Sequence, residues 1–173
     1  GDVKIHKELS EKWKTSITYR FREETCEEPV SVHKYRLHLR YTPYGGWQLD
    51  HRVEYNRSGD KNEGLMIYHE LHHQMHILPV HLSFRYALFD CPAYSNRIYA
   101  WERDVLYAFG STAYYGSGYR WYMLIRWDMS PSAAFWLRLA QTVQPGEENL
   151  GSGQEKLQGD RKTDLSLQLL FRF

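Results

Sequence analysis

The sequence predicts an all-β fold, an antiparallel meander of about eight to ten strands. The clearest observation is the C-terminal segment Lys162–Phe173, in which apolar and polar residues alternate. A period of two is typical of a strand with one apolar face and one polar face. The same alternation recurs along the chain, and turns or polar loops separate its repeats. The apolar set of the last strand is Leu165, Leu167, Leu169, Phe171 and Phe173.

The first half of the chain contains one weakly alternating segment, Asp2–Leu9, and three clearer ones. The polar stretch Arg22–Ser31 predicts a loop, because it includes the strand breaker Pro29. Pro43–Gly46 predicts a tight hairpin turn, since glycine supplies the positive φ that such turns require. Asn56–Gly64 predicts a longer solvated loop. The clearer segments are Trp13–Phe21, Lys34–Tyr41 and Trp47–Tyr55.

The second half continues the pattern up to the C-terminal strand. Gly110–Gly118 is rich in Gly and Tyr and predicts a loop, and Ser130–Ser132 predicts a turn. Gln144–Arg161 predicts the longest loop of the chain. The strands predicted between these features are Leu65–Leu78, His81–Leu88, Tyr99–Phe109, Tyr119–Asp128 and Ala134–Ala140.

Length and composition fit a single domain over residues 1–173, and the opening residues also allow a C-terminal fragment of a longer chain. A net charge of +1 gives no field that favours nucleic acid. The absence of any run of eighteen apolar residues excludes a transmembrane helix, but it does not exclude a membrane barrel with alternating strands. Cys26 and Cys91 leave a disulfide and two free thiols equally open.

The alternation fits two all-β architectures of opposite polarity. A soluble sheet turns its apolar set inward, whereas a barrel of the outer-membrane type turns that set to lipid and its charged set to the lumen. Three features favour the membrane type. The apolar faces end in aromatic residues, such as Tyr119 and Trp127; the polar faces carry Arg and Glu; and tight turns tend to alternate with long loops. The sequence therefore predicts an antiparallel meander β-barrel of the outer-membrane type.

If each predicted strand crosses the membrane once, some turns and loops lie on the wrong side for an outer-membrane barrel. Counted back from a periplasmic C-terminus, Gln144–Arg161 lies outside, but the tight turn Pro43–Gly46 also lies outside and the long loop Asn56–Gly64 lies inside. Membrane barrels have the opposite arrangement, with short turns inside. An additional crossing or a re-entrant segment between Asp90 and Gly118 would restore the expected order.

Three segments of the second half, Phe84–Asp90, Asn96–Phe109 and Ala113–Trp127, carry a resemblance to a known family. They resemble the C-terminal barrel portion of Bacteroidota-type outer-membrane proteins that are often labelled helix-hairpin-helix or ComEA-like. The resemblance implies an outer-membrane location and a barrel architecture, and it covers about half of the chain. The helix-hairpin-helix domain itself is absent from this sequence, so no DNA-uptake role is implied.

In the predicted barrel the charged residues of the polar faces form a network that faces the lumen. Such residues could select anions in an open pore, but small barrels are filled by their own side chains, which favours ion pairs in a closed interior. The network comprises Arg20, Arg36, Arg40, Arg52, Glu54, Glu70, Arg85, Glu102, Asp104, Arg120, Arg126, Asp128, Arg138 and Arg172.

A different chemistry is suggested by His69-Glu-Leu-His-His73, which matches H-E-x-x-H. On a helix this motif binds zinc through two imidazoles and uses the glutamate as general base, with His76 or His81 as a third ligand. On a strand His69 and His73 would lie about 13 Å apart and Glu70 would point to the opposite face. Since the period of two continues through the motif, the strand is the stronger prediction.

The sequence therefore predicts a structural or interaction component of the bacterial outer membrane, with no cofactor and no catalytic residue. Its expected partners are outer-membrane lipid and envelope proteins, and not nucleic acid. Two other functions stay open: a soluble β-barrel that binds an apolar or aromatic ligand, and a zinc hydrolase built on His69, Glu70 and His73.

Overall fold

The computed structural model describes residues 1–8, 10–25, 29–59, 62–108, 110–150 and 157–172. The described residues form β-strands and one short 3₁₀ turn, Tyr94–Asn96. None of the described helical structure is long and apolar enough to span a bilayer. The strands are β1 (Asp2–Glu8), β2 (Trp13–Thr25), β3 (Pro29–Tyr41), β4 (Trp47–Ser58), β5 (Asn62–Gln74), β6 (Val80–Cys91), β7 (Ile98–Trp101), β8 (Ser111–Tyr114), β9 (Gly116–Ser130), β10 (Ala133–Val143), β11 (Asn149–Leu150), β12 (Leu157–Gln158) and β13 (Arg161–Phe171).

Nine of the described strands form one antiparallel sheet in the order β1-β2-β3-β4-β5-β6-β9-β10-β13. The predicted all-β meander is thereby confirmed. The remaining strands form two small hairpins, β7-β8 and β11-β12, which interrupt the connections between sheet neighbours. Within the described ranges β1 and β13 each have one neighbour in the sheet. The sheet is therefore open, and the predicted closure into a barrel is not seen.

Several strands are longer than the alternation of apolar residues predicts. β2 and β3 pair as far as Thr25 and Pro29, inside the stretch predicted to be a loop. Pro29 is tolerated because it is the first residue of its strand. β4 likewise continues to Ser58 through polar residues. Polar composition predicts a loop in these stretches, but the polar residues instead continue the strands.

The region between β6 and β9 differs from the prediction. The prediction that Tyr99–Phe109 is a strand of the main sheet is wrong, because β6 pairs directly with β9 from Val80↔Trp127 to Cys91↔Gly116. The intervening chain folds back as the β7-β8 hairpin. We call residues 92–115 the inserted segment; Phe109 lies outside the described residues. Of the two alternatives for this region, an additional crossing of the main sheet is not seen, and the described part of the segment folds back as a separate hairpin.

With this correction the two longest connections lie at one end of the sheet, but the predicted long loop Asn56–Gly64 is wrong, because β4 ends at Ser58 and β5 begins at Asn62. The connections 42–46, 75–79 and 131–132 lie at the end where β13 finishes, which we call the turn end. The connections 92–115 and 144–160 lie at the opposite end, the loop end, as do the short links from β2 to β3 and from β4 to β5. The predicted tight turn has φ of 82° at Gly45 and 76° at Gly46, which only glycine adopts readily.

The two faces of the sheet are opposite in chemistry and in burial. One face, which we call the apolar face, presents large apolar side chains to the exterior. The other, the charged face, is covered by the inserted segment over its central strands and contains most of the buried residues. The exposed side chains of the apolar face include Ile5, Trp13, Ile17, Tyr35, Leu37, Val53, Leu65, Phe84, Tyr86, Leu88, Met123, Trp127, Leu165, Leu167 and Leu169.

The protein core lies between the charged face and the inserted segment. One cluster of buried side chains joins β5 and β6 to the β7-β8 hairpin. A second cluster, around Tyr122 and Trp136, lies between β9 and β10 and packs against Val105 and Leu106 of the inserted segment. The first cluster consists of Met66, Tyr68, Ala87, Phe89, Cys91, Ile98, Ala100 and Tyr114.

Candidate functional site

The candidate site is the contact between the inserted segment and the charged face. The β7-β8 hairpin has one buried side, on which Ile98, Ala100 and Tyr114 pack into the core. The alternate residues of β7, Tyr99 and Trp101, point away from the sheet and are 47% and 59% exposed. The alternation that suggested a membrane strand therefore reflects a hairpin that lies on the sheet with one face against it.

Arginines of the sheet bind the backbone of β7. Its edge away from β8 leaves carbonyl oxygens without a strand partner. Two of these oxygens, and that of Arg103 just beyond the end of β7, lie at alternate positions, and each accepts a hydrogen bond from an arginine on a different strand of the sheet. Arg52 Nη2 binds Tyr99 O at 3.1 Å, Arg85 Nη1 binds Trp101 O at 2.8 Å, and Arg138 Nε binds Arg103 O at 3.1 Å.

Glu102 is the most deeply buried charged residue of the inserted segment, with no exposed surface. Its carboxylate accepts hydrogen bonds from Tyr114 Oη at 2.8 Å, from Arg120 Nε at 2.8 Å and from Arg138 Nη2. Burial alone would raise the pKa of Glu102, but the hydrogen bonds and charges of Arg120, Tyr114 and Arg138 outweigh burial, and its pKa lies below the ordinary value. Glu102 is therefore held as a carboxylate between two arginines of the sheet.

A second charge cluster links the sheet to the inserted segment, and here the carboxylate and the arginine exchange sides. Here the carboxylate belongs to the sheet: Glu70 of β5 accepts hydrogen bonds from Arg85 Nε at 2.7 Å and from Tyr122 Oη at 3.0 Å. The inserted segment contributes Arg103, whose Nε lies 3.0 Å from Glu70. The sheet thus contributes Glu70 to an arginine of the inserted segment, and the inserted segment contributes Glu102 to arginines of the sheet. Each of these buried carboxylates is therefore paired with arginine.

Charge pairing continues toward the N-terminal strands. Glu54 binds Arg52 and, at 2.6 Å, Arg36 Nε. Asp50 accepts hydrogen bonds from Arg40 Nε at 2.7 Å and contacts His38 Nε2 at 3.0 Å. The pairs of Arg36 and Arg40 join β3 to β4, whereas Arg52 lies on β4 with Glu54 and also binds the inserted segment through Tyr99 O.

The rest of the predicted network lies nearer solvent. Arg20 pairs with Asp2 at 2.9 Å and is half exposed. Arg126 pairs with Asp128 at 2.9 Å, and Asp104 lies 3.7 Å from Arg138. Arg172 follows the last strand and is exposed.

Sequence reasoning missed several members of the site. Arg103 directly follows Glu102, and strict alternation would place only one of them toward the charged face. Both reach it because β7 ends at Trp101 and the chain turns. Tyr114 lies in the predicted loop Gly110–Gly118, but it is the last residue of β8. Tyr122 fell on the polar face of its strand, and that position was the signal that could have identified it.

The H-E-x-x-H motif lies within β5, as the period of two predicted. His69 is exposed on the apolar face, where its Nδ1 contacts Nδ1 of His51, whereas Glu70 is buried on the charged face. The ring of His73 stacks on that of Trp47 with centroids 3.8 Å apart. The helical zinc arrangement is therefore not formed. Across the described ranges no group of three or more His, Cys, Asp or Glu side chains is placed to hold a metal ion.

Two cavities flank the inserted segment. A cavity of about 370 Å³ toward the loop end is lined by residues that include Tyr94, Tyr115 and Arg120. A cavity of about 450 Å³ toward the turn end is lined by residues that include His72 and Trp136. Cys91 is a buried free thiol, and Cys26 lies outside the described residues.

Comparison with known proteins gives no family for this chain. No protein-family model matches it, and neither a curated protein nor a solved structure is significantly similar to it.

Proposed function

We propose that the chain forms part of the wall of an outer-membrane β-barrel, and that the inserted segment is its interior plug. The observation that carries this proposal is the polarity of the sheet. Leu165 and Leu167 are 69% and 66% exposed, whereas Arg85 and Glu70 are buried. A soluble antiparallel sheet does the reverse, because it packs its apolar face on the core and turns charged side chains to water.

The size of the exposed apolar surface supports a lipid environment. It extends over the long strands from β1 to β13 and is interrupted on β4 and β5 by the paired imidazoles of His51 and His69. Soluble monomers seldom expose an apolar patch of more than a few hundred Å², and larger patches mark membrane or protein contacts. A soluble protein that encloses an apolar ligand would instead turn these side chains toward a shared interior.

The dimensions of this face also suit a bilayer. On β9 the apolar side chains run from Tyr119 to Trp127, a path of roughly 26 Å along the strand. A strand tilt of about 40° shortens this to roughly 20 Å, comparable with the apolar band of about 25 Å in membrane barrels. Aromatic residues at both ends of the path fit the interfacial girdles of such barrels.

The connections support the same orientation. The two longest connections, 92–115 and 144–160, share the loop end of the sheet with two short links, whereas the turn end carries the connections 42–46, 75–79 and 131–132 and the end of β13. Outer-membrane barrels have short periplasmic turns and longer extracellular loops. We therefore assign the turn end to the periplasm.

The buried arginines favour a structural or interaction role over an open channel. Arg52, Arg85, Arg120 and Arg138 each bind a carboxylate, and three of them also bind the backbone of the inserted segment. Guanidinium groups with these partners are not free to bind a passing anion. The charged face thus holds a plug in place.

Dependence on detergent tests the proposal. The protein should co-sediment with outer membranes after a carbonate wash, and once extracted it should stay monodisperse only while detergent is present. Removal of detergent should cause aggregation, because the apolar face then meets water. A folded, monodisperse protein in plain buffer would contradict the proposal and would favour a soluble binder.

A further inference from the structure

We infer that the cavity of about 370 Å³ near the loop end binds a small uncharged saccharide, a mono- or disaccharide. The cavity lies between the inserted segment and the loop ends of β9, β10 and β13. This inference goes beyond the structural role proposed above. It does not depend on contact between the apolar face and lipid.

The size and construction of the cavity suit a small ligand. Its volume lies within the range of roughly 300–1,000 Å³ that is typical of small-molecule sites, near the lower end. Its walls come from the inserted segment, from the end of β10 with the residues that follow, and from the start of β13. Gln144, which is buried, donates a hydrogen bond from Nε2 to Tyr115 O and so joins two of these walls. The cavity is therefore formed before any ligand binds.

Part of the lining is aromatic. Tyr94 and Tyr115 both line the cavity, and their rings meet edge to face with centroids 5.7 Å apart. Tyr94 is 62% exposed. Arg97 holds it in place, because its Cζ lies 4.1 Å from the centroid of the Tyr94 ring and its Nη1 donates to Tyr94 O at 2.8 Å. A tyrosine offers an apolar ring together with a polar hydroxyl, and the C–H face of a sugar ring packs well on such a surface.

The rest of the lining is largely polar. Arg120 Nη1 donates to Thr142 Oγ1 at 2.6 Å and lies 3.6 Å from Asp164 Oδ2. Lys162 Nζ lies 3.9 Å from the other oxygen of the same carboxylate. Asp164 only accepts hydrogen bonds and Lys162 only donates them, whereas the hydroxyl of Thr142 does both. A ligand rich in hydroxyl groups can match all of these side chains, because each hydroxyl is both a donor and an acceptor.

Charge pairing disfavours an anionic ligand. Of the two cations that line the cavity, Arg120 also binds Glu102, through Nε at 2.8 Å and Nη2 at 3.1 Å. Lys162 faces Asp164, so both cations already have a carboxylate as partner. An anion would compete with these carboxylates. An apolar ligand would instead remove water from Asp164 and Lys162 without replacing its hydrogen bonds. An uncharged ring that carries hydroxyl groups avoids both costs.

Saturation-transfer NMR tests this inference. The complete chain is kept in lauryldimethylamine oxide, a detergent whose head group is not a sugar and therefore does not compete. Glucose, galactose, mannose, N-acetylglucosamine, maltose and lactose are added in separate titrations. We expect saturation transfer to the ring protons of at least one of these sugars, with a dependence on concentration that saturates.

Variants show whether the sugar occupies this cavity. Tyr94→Ala removes a largely exposed ring and should weaken binding by up to about tenfold. Asp164→Asn replaces a charged acceptor by a neutral group of the same shape and should weaken binding by about tenfold or more. Tyr44→Ala is the matched control, because Tyr44 is an exposed tyrosine at the turn end, and it should leave the affinity unchanged.

Three results would overturn the inference: no transfer to any of these sugars, equal transfer in the wild type and in both cavity variants, or binding of benzoate or inorganic phosphate in preference to every sugar. None of them bears on the proposed function, which detergent dependence tests separately. A protein that binds a sugar through Tyr94 and Asp164 but stays monodisperse without detergent would contradict the membrane wall alone.

Discussion

Arg85 donates a hydrogen bond from Nη1 to the backbone carbonyl oxygen of Trp101 at 2.8 Å, and the same guanidinium binds Glu70. One buried side chain of the sheet therefore satisfies an edge carbonyl of the inserted segment and a carboxylate of its neighbouring strand. Because the contact is to backbone, it holds β7 in position whatever side chain occupies residue 101.

Removal of this arginine should strongly destabilise the protein. Arg85→Met retains most of the aliphatic volume but leaves Glu70 and the Trp101 carbonyl without this donor, so we expect the free energy of unfolding to fall by about 3–5 kcal/mol. Arg20→Met is the matched control, since Arg20 forms an exposed pair with Asp2, and it should cost less than about 1 kcal/mol. Urea unfolding in lipid, followed by tryptophan fluorescence, measures both. Equal losses would contradict the buried role of Arg85.

Glu102 should make stability depend on acid pH. Its pKa is lower in the folded than in the unfolded protein, so its carboxylate stabilises the fold above the unfolded pKa of about 4.3. That stabilisation is lost as pH falls through the folded pKa. The difference in unfolding free energy between wild type and Glu102→Gln should be constant near neutral pH and should shrink in acid. A difference that does not change with pH would show that the charge of Glu102 is irrelevant.

A charged residue on the apolar face distinguishes lipid from water. Phe84→Arg places a cation in the middle of this face and should cost about 2–4 kcal/mol in a bilayer. Thr163→Arg, near the loop end of the same face, should cost no more than about 1 kcal/mol. In water, by contrast, an arginine at an exposed position would be nearly neutral. Unfolding titrations in liposomes measure the contrast, and nearly equal small losses would count against a lipid-facing Phe84.

The two halves of the H-E-x-x-H motif should behave differently on substitution. Glu70→Gln removes a buried charge partner of Arg85 and Arg103 and should lower the free energy of unfolding by about 3 kcal/mol or more. His69→Ala alters an exposed side chain and should change it by about 0.5 kcal/mol at most. Stoichiometric zinc in the purified protein, lost in His69→Ala, would instead support a metal site.

Alternation of residues predicted most of the sheet because each strand has one apolar and one charged face. It also predicted that Glu70 lies opposite His69. The predicted strands end too early. For example, the predicted strand ends at Tyr55, whereas β4 continues through polar residues to Ser58. The apolar residues alone therefore define the middle of each strand better than its limits.

The inserted segment could not be recognised from alternation alone. Ile98 and Ala100 alternate with Tyr99 and Trp101 as residues of a wall strand would, but their buried side faces the sheet. The order of tight turns and long loops pointed to this region, because it called for either an additional crossing or a re-entrant segment there, but it did not distinguish the two. The hydrogen bonds from arginines to backbone carbonyls, such as Arg138 to Arg103, leave no trace in the sequence pattern.

Fluorescence quenching by brominated lipid tests the orientation of the sheet most directly. Trp127 lies exposed on the apolar face of β9, and Trp136 lies buried on the charged face of the neighbouring β10. Two variants each keep one of these tryptophans and carry Phe at the other five, and both are reconstituted into liposomes that contain brominated acyl chains. We predict strong quenching of Trp127 and little quenching of Trp136. Equal quenching of both, or stronger quenching of Trp136, would contradict an apolar face that contacts lipid.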